Sequence, residues 1–145
     1  MSNKLYPRPE DAEAAFYEAL ERADLEGMMG VWAEDEDEIV CVHPSGARLT
    51  GHAQVRESWR QIFSGGPNMR VNISQQVTLS TPMLSVHSVH ERFTLPGEPR
   101  SRGPVVATNV YMRTAAGWRM IVHHASPAPA QAEAPAPAAE TKTLH

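Results

Sequence analysis

The chain has a single cysteine and only two lysines, and both shortages exclude whole classes of chemistry. One cysteine, Cys41, allows no disulfide within the chain and no zinc site built from several thiolates. Cys41 lies in the apolar run IVCVH, where a cysteine is more often a small buried hydrophobic residue than a nucleophile. The lysines, Lys4 and Lys142, lie near the two ends of the chain, and neither is placed for the desolvated pocket that Schiff-base chemistry needs.

Long apolar runs and clustered positive charge are also missing. No apolar run approaches the roughly 20 residues of a membrane-spanning helix, and the N-terminal segment lacks the apolar stretch of a signal peptide. The cytoplasm is therefore the expected compartment, with no membrane partner. The formal net charge is −4 and the arginines are scattered, which argues against nucleic acid as a partner.

The length and the end of the chain predict one domain followed by a tail. A chain of 145 residues suits a single domain with a substantial core. The segment PAPAQAEAPAPAA, residues 127–139, is almost entirely alanine and proline and has little apolar bulk to bury. We therefore expect a folded domain over residues 1–126 and a disordered tail over residues 127–145.

Three segments have the apolar spacing of helices. The first is EDAEAAFYEALERADLEG, whose alanines, Phe16 and Leu20 recur at i, i+3, i+4 spacing. A short second helix is expected over residues 25–33, with Asp24 as its N-cap. The third is expected over residues 51–63, before the chain breaks at SGGPN.

The remaining segments predict strands. Residues 39–43 form a short strand that ends at Pro44, because proline cannot continue a strand ladder. Four more strands follow the third helix, in MRVNISQQVTLS, MLSVHSVHERFTL, VVATNVYMR and WRMIVHHAS. Alternation in the first of these four places five apolar side chains on one face: Met69, Val71, Ile73, Val77 and Leu79. Helices followed by an antiparallel meander predict an α+β fold.

The histidine pairs do not predict a metal site. Consecutive side chains of a strand point to opposite faces, so His123 and His124 cannot bind one metal from the same side. The three-residue step from His87 to His90 also changes the face. Simple alternation places His124 on the face of Trp118, Met120 and Val122.

Several polar and aromatic residues in apolar surroundings are candidates for a binding pocket. Asn109 and Tyr111 share one face of an apolar strand, where a buried amide must be hydrogen-bonded, either structurally or to a ligand. His43, at a strand end, either caps the strand or acts as a general base near neutral pH. Aromatic residues at helical spacing, including Trp32 and Trp59, are either core or pocket wall. Glu91 is the main carboxylate inside the predicted strands.

The order of elements, the loop VHPSG, the segment SWRQIF and the ending GWRMIVHHASP resemble the nuclear transport factor 2-like superfamily. The resemblance covers about residues 10–126 and is closest to the SnoaL-like branch. The chain is also similar to the association domain of calcium/calmodulin-dependent protein kinase, but Ala125 stands where that domain has an arginine, so its carboxylate-binding role is not carried over. The resemblance implies a curved antiparallel sheet wrapped by three helices into a cone with an apolar pocket, and a homodimer formed through the outer face of the sheet.

Members of this superfamily include ketosteroid isomerases, polyketide cyclases, dehydratases and plain binding or assembly domains, so the fold does not fix the function. The isomerases and cyclases use a pocket aspartate as base, and no aspartate of this chain is placed for that role. His124 matches the superfamily's terminal histidine, which implies that His124 faces the pocket and His123 faces outward.

We therefore expect a dimeric cone that binds a small apolar or aromatic molecule without a cofactor. The expected ligand-binding residues are Tyr17, Trp32, His43, Trp59, Asn109, Tyr111 and His124. One alternative is an acid–base lyase or isomerase, with His43 or His124 as proton shuttle and Asn109 or Tyr111 stabilising an enolate-like oxygen. The other alternative is an assembly module that does not catalyse a reaction.

Overall fold

The computed structural model of the chain describes residues 4–34, 38–66 and 69–129. Within these ranges three helices and six strands form an α+β fold, as predicted. The helices are α1 (Pro9–Arg22), α2 (Leu25–Val31) and α3 (Gly51–Phe63). The strands are β1 (Val40–Val42), β2 (Arg48–Thr50), β3 (Arg70–Ser80), β4 (Leu84–Thr94), β5 (Arg102–Thr114) and β6 (Gly117–Pro127). No helix in the described ranges is long and apolar enough to cross a membrane.

The strands form one curved, unclosed sheet in the order β2-β1-β6-β5-β4-β3. Strands β3 to β6 are the predicted antiparallel meander. Strand β1 runs parallel to β6, so the sheet as a whole is mixed rather than antiparallel throughout. Strand β2, which pairs with β1, was not predicted because three residues are too few to show a period.

The helix ends follow local capping chemistry. Pro9 stands at the start of α1, and the Asp11 carboxylate accepts a hydrogen bond from the Arg8 backbone N–H at 3.1 Å. The helix ends at Ala23, whose φ of 53° is left-handed. Asp24 caps α2 as predicted, since its side chain accepts a hydrogen bond from the Gly27 N–H at 3.0 Å. The bounds of α3 are those predicted.

A β-bulge in β3 reverses the faces of that strand. Gln75 has a φ of 55°, and the pairing with β4 shifts between Ser74 and Val77. Val71 and Ile73 pack against the core, whereas Val77 and Leu79 are 57% and 67% exposed. The predicted single apolar face is therefore wrong beyond Ile73, because one inserted residue moves every later side chain to the opposite face.

A second bulge, in β6, reverses the assignment of the two histidines. Tyr111 pairs with Met120 but Val110 pairs with Val122, so β6 contains one extra residue, Ile121, that has no partner on β5. Met120 and His123 therefore both face the helices, and His123 is 3% exposed. The placement of His124 on the pocket side is wrong, because His124 is exposed on the outer face.

The core lies between the helices and the inner face of the sheet. Helix α1 packs across β3, β5 and β6, and α3 packs against β1 and β2. The largest fully buried apolar side chains are Trp32, Tyr111, Phe16, Met28, Ile39 and Met120. The inner face also buries polar side chains from the middle of the meander. Because polar side chains are seldom fully buried, these residues mark the candidate site.

The end of β6 lies close to the predicted domain boundary. The strand includes Pro127, and the Ala128 N–H donates to the Pro104 carbonyl at 3.1 Å. Residues 130–145, which make up most of the predicted tail, lie outside the described residues.

Candidate functional site

Four buried polar side chains form a continuous line of hydrogen bonds, named here the interior polar row. The Tyr17 hydroxyl donates to Oε2 of Glu91 at 2.5 Å. The Asn109 amide nitrogen donates to the Tyr17 oxygen at 2.9 Å. Nδ1 of His123 lies 2.6 Å from the Asn109 amide oxygen. The row therefore joins α1 to three neighbouring strands, β4, β5 and β6.

The sheet register explains why these residues meet. Asn109 and His123 are direct cross-strand partners on β5 and β6, where opposite side chains on one face are neighbours. Glu91 lies on β4, which pairs with β5. Tyr17 reaches the row from α1, which crosses the inner face of the sheet, and it contacts both Glu91 and Asn109.

Burial shifts the acid–base behaviour of every titratable member of the row. Burial raises the pKa of Glu91 to about 7, and the hydrogen bond from Tyr17 opposes this rise. Burial lowers the pKa of His123 to about 3, with smaller contributions from charge on His43 and His124. The pKa of Tyr17 is raised, first by burial and then by the Glu91 charge. At neutral pH the row holds a neutral imidazole, a neutral phenol and a carboxyl group poised to exchange a proton.

The three hydrogen bonds run in one direction. An amide oxygen only accepts hydrogen bonds, so Nδ1 of the neutral His123 carries the proton. Asn109 then donates to Tyr17, and Tyr17 donates to Glu91. Every donor points toward Glu91, which is the arrangement that an ionised carboxylate stabilises.

His43 lies beside the row, just after β1, and is half-buried. Ser58 donates its own hydroxyl proton to the Val55 carbonyl at 2.7 Å. The Ser58 oxygen, 3.0 Å from Nε2 of His43, therefore accepts from the imidazole, which leaves Nδ1 of His43 as the basic nitrogen. Burial lowers the pKa of His43. It raises the pKa of Cys41 to about 12, which makes Cys41 a buried thiol, as the sequence predicted.

Aromatic rings surround the His123 end of the row. The Phe16 ring centroid lies 4.9 Å from that of His123 and 4.8 Å from that of Tyr17. Trp59 lies edge-on to His43 at 4.6 Å and 6.0 Å from His123. The indole N–H of Trp59 is buried and has no hydrogen-bond partner among the described residues.

A second buried polar cluster lies next to the row on the same face. Nε2 of His87 lies 2.9 Å from the Ser85 hydroxyl. Nδ1 of His87 lies 3.1 Å from Oε2 of Glu13, at an ion-pair distance but outside the angles of a hydrogen bond. The Tyr111 ring packs against His87, and its buried hydroxyl has no hydrogen-bond partner among the described residues. Burial raises the pKa of the Tyr111 hydroxyl, and the charges on Glu13 and Glu91 raise it further.

The structure brings together most of the residues expected at the site. Tyr17 and Asn109 belong to the interior polar row, and Trp59 and His43 adjoin it. Tyr111 lies in the neighbouring cluster. Trp32 is fully buried beside Met120, with an indole N–H that has no partner within the described ranges. His124 lies apart from all of them.

Sequence reasoning missed two members of the row. His123 was assigned to the wrong face because nothing in the local pattern marks a bulge at Ile121. Glu91 carried a usable signal, since a carboxylate inside an apolar strand must be paired or lose its charge. His87 and His90 do lie on opposite faces, as expected. Within the described parts of the chain, no group of three or more histidine, cysteine or acidic side chains could hold a metal ion.

Comparisons with known proteins agree with this architecture. A family model described as a SnoaL-like domain matches residues 10–131. A solved structure from Thiobacillus denitrificans, provisionally described as a calcium/calmodulin-dependent protein kinase type II association domain, is 40% identical with a TM-score of 0.82, covering 87% of this chain and 99% of that one. A solved structure from Streptomyces avermitilis, provisionally described as a dehydratase of the NTF2-like family, is 32% identical with a TM-score of 0.74. The match covers 82% of this chain and 92% of that one.

One longer relative also matches. The F-box protein SKIP8 of Arabidopsis thaliana is 23% identical over 111 residues, which are 77% of this chain. The match spans 46% of the length of SKIP8, so the chain corresponds to about half of that protein.

Proposed function

Because the chain belongs to the SnoaL-like family, we propose that its interior binds a small, mostly apolar molecule and that the interior polar row fixes the polar group of that molecule. One observation carries the proposal. A connected set of four buried polar side chains, including a carboxyl group whose pKa is about 7, lies in an otherwise apolar core. Perturbed ionisable groups of this kind concentrate at functional sites.

Aromatic surroundings suit an apolar or aromatic ligand. Pockets for small molecules are lined mostly by apolar and aromatic side chains, with a few polar groups that set orientation. Phe16 and Trp59 would supply such a lining at the His123 end of the row, and the Tyr17 ring, which contacts Phe16, would extend it toward Glu91. The unpartnered N–H of Trp59 is a further donor toward a ligand.

A fluorescent apolar phenol, 2-naphthol, is the probe that tests binding. The wild-type protein should bind it saturably below about 1 mM, followed by fluorescence. The variants Glu91→Gln and Asn109→Leu should each bind at least about tenfold more weakly, since each change alters a polar anchor. Circular dichroism should show that both variants are folded. His124→Ala, on the outer face, is the matched control and should bind like the wild type.

Two results would overturn the binding proposal. One is the absence of saturable binding by wild-type protein to 2-naphthol and to the apolar ketone 2-tetralone. The other is binding that Glu91→Gln, Asn109→Leu and His124→Ala leave equally unchanged, which would assign the row to the architecture of the core.

Acid–base catalysis is the second candidate function, and Glu91 is the observation that favours it. A general base works best when its pKa is near the working pH, and burial brings Glu91 to about 7. Glu91 would take a proton from the carbon next to a ketone carbonyl. The Tyr111 hydroxyl, a donor with no partner among the described residues, would then stabilise the enolate oxygen. The name of the dehydratase from Streptomyces avermitilis supports this class of reaction.

Exchange of carbon-bound hydrogen tests catalysis without a known substrate. In D2O the wild-type protein should accelerate deuterium incorporation into 2-tetralone, followed by NMR. Glu91→Gln should lower the rate by about 10² or more, whereas His124→Ala should leave it unchanged. A rate equal to that of buffer alone, with 2-tetralone bound, would restrict the chain to binding.

A homodimer formed through the outer face of the sheet completes the proposal. That face carries half-buried apolar side chains along β5 and β6, including Val110 and Val122, and continues to Leu79, which is 67% exposed. Light scattering should give twice the mass of one chain for the wild type. Val110→Glu should yield monomers, because an unpaired charge cannot be buried at such an interface. A monomeric wild type at micromolar concentration would contradict the dimer.

A further inference from the structure

Tyr17 and Asn109 connect the two ends of the row through an unbroken series of donor–acceptor contacts. The Tyr17 hydroxyl has one proton, which it donates to Glu91 while its oxygen accepts from Asn109. The Asn109 amide donates at its nitrogen and accepts at its oxygen, where Nδ1–H of His123 binds. Each link is therefore donor to acceptor in a fixed order.

A proton on Oε2 of Glu91, the oxygen to which Tyr17 donates, conflicts with this order. Within the described part of the chain, the Tyr17 hydroxyl is the hydrogen-bond partner of this oxygen, so a proton placed on Oε2 points at the Tyr17 oxygen. If Tyr17 accepts from Glu91, its own proton must turn to Asn109. Asn109 can accept it only by rotating its amide, so that its oxygen faces Tyr17 and its nitrogen faces His123.

The rotated amide then forces a change on His123. The amide nitrogen would meet the Nδ1–H of His123 at 2.6 Å, and two donors cannot share that contact. The imidazole stays neutral by carrying its proton on Nε2 instead, after exchange with solvent. The row as a whole gains one proton, which resides on Glu91.

We propose that Glu91 and His123 are coupled through Tyr17 and Asn109, so that His123 carries its proton on Nδ1 when Glu91 is ionised and on Nε2 when Glu91 is protonated. His123 is thus a positioning residue: its Nε2 is an acceptor when Glu91 is ionised and a donor when Glu91 is protonated. The inference deepens the proposed site, but it requires no ligand. A ligand group near Nε2 would be selected as a donor at high pH and as an acceptor, such as a carbonyl, at low pH.

Other titratable groups face the row and must be separated from this effect. They are Tyr17 and Glu13 on α1, His43 after β1, His87 on β4 and Tyr111 on β5. The Glu13–His87 contact joins α1 to β4 beside the row. Glu13→Gln therefore serves as a control that keeps the whole row intact.

NMR of protein labelled with ¹⁵N-histidine tests the coupling directly, with the His123 signals assigned by their loss in His123→Gln. In the wild type, the ¹⁵N shifts of His123 should change as pH rises from 5 to 9. Nδ1 should pass from the unprotonated to the protonated shift, and Nε2 should do the reverse. The midpoint should equal that of the Glu91 carboxyl ¹³C signal. Glu13→Gln and His124→Ala should behave like the wild type. Glu91→Gln should give a constant His123 pattern.

Tyr17→Phe is the decisive variant, because it removes one hydroxyl and keeps the ring. In that variant Glu91 should still titrate while the His123 pattern stays constant. A wild-type His123 that keeps one tautomer while Glu91 titrates would overturn the proposal, since the hydrogen bonds of the interior polar row would then keep their direction. A His123 that switches equally in Tyr17→Phe, or that becomes a charged imidazolium in this range, would overturn it as well.

Discussion

His123 on β6 and Asn109 on β5 lie opposite each other on the inner face of the sheet, with Nδ1 of the histidine 2.6 Å from the amide oxygen. This contact closes a line of hydrogen bonds that begins at Glu91. It exists because the bulge at Ile121 turns His123 inward. The next residue, His124, is exposed on the other face, so two adjacent histidines have unrelated environments.

The two histidines should therefore respond differently to truncation. His123→Ala removes a buried ring and leaves the Asn109 oxygen without its donor, which should lower the free energy of unfolding by about 2–4 kcal/mol. His124→Ala, at an exposed position, should change it by less than about 0.5 kcal/mol. Urea unfolding followed by circular dichroism measures both. Equal effects would contradict the assigned faces.

The fold was largely predictable because its signals are local. The period of α3 and the cap of α2 at Asp24 depend on a few neighbouring residues. The parallel pairing of β1 with β6 depends on strands far apart in the chain, and no local period specifies it.

The candidate site was less predictable, because bulges decide which residues face inward. Alternation correctly placed Asn109 with Tyr111, where β5 is regular, and failed at Val77 and His123, each of which follows an inserted residue. The unusual φ of Gln75 is adopted by a residue type that gives no glycine signal. Glu91 was visible as an isolated carboxylate, but its partner Tyr17 lies 74 residues away in the chain, on α1.

The buried neutral His123 should make the protein sensitive to acid. The pKa of His123 is about 3 in the folded protein and has an ordinary value of 6.5. Below that ordinary value the unfolded chain binds a proton that the folded chain does not, so the free energy of unfolding falls as pH decreases. This residue lowers the free energy of unfolding by about 1.4 kcal/mol for each pH unit of acidification, until the pKa of the folded state is reached.

Urea titrations at several pH values, with His123→Gln as the comparison, measure this contribution. The variant should be less stable than the wild type at neutral pH but should lose less stability on acidification. A wild type and a variant with parallel pH profiles would show that His123 is not buried in its neutral form.

Glu91 should produce the opposite dependence in an overlapping range. Its pKa of about 7 lies above the ordinary value of 4.5, so between these values the folded protein keeps a proton that the unfolded chain has lost. The free energy of unfolding from this residue therefore falls as pH rises, by about 3 kcal/mol in total. Glu91→Gln should gain stability relative to wild type across that range. An unchanged difference between the two proteins would mean that Glu91 titrates at its ordinary value.

The affinity of 2-naphthol as a function of pH depends both on binding in the interior and on the raised pKa of Glu91. The naphthol hydroxyl is a donor, and a hydrogen bond to an ionised carboxylate is about twice as strong as one between neutral groups. We expect the affinity to rise with pH, with a midpoint near 7, and we expect Glu91→Gln to abolish the rise while His124→Ala retains it. Affinity that is independent of pH in the wild type, or that rises equally in Glu91→Gln, would show that Glu91 is not the polar anchor of the site.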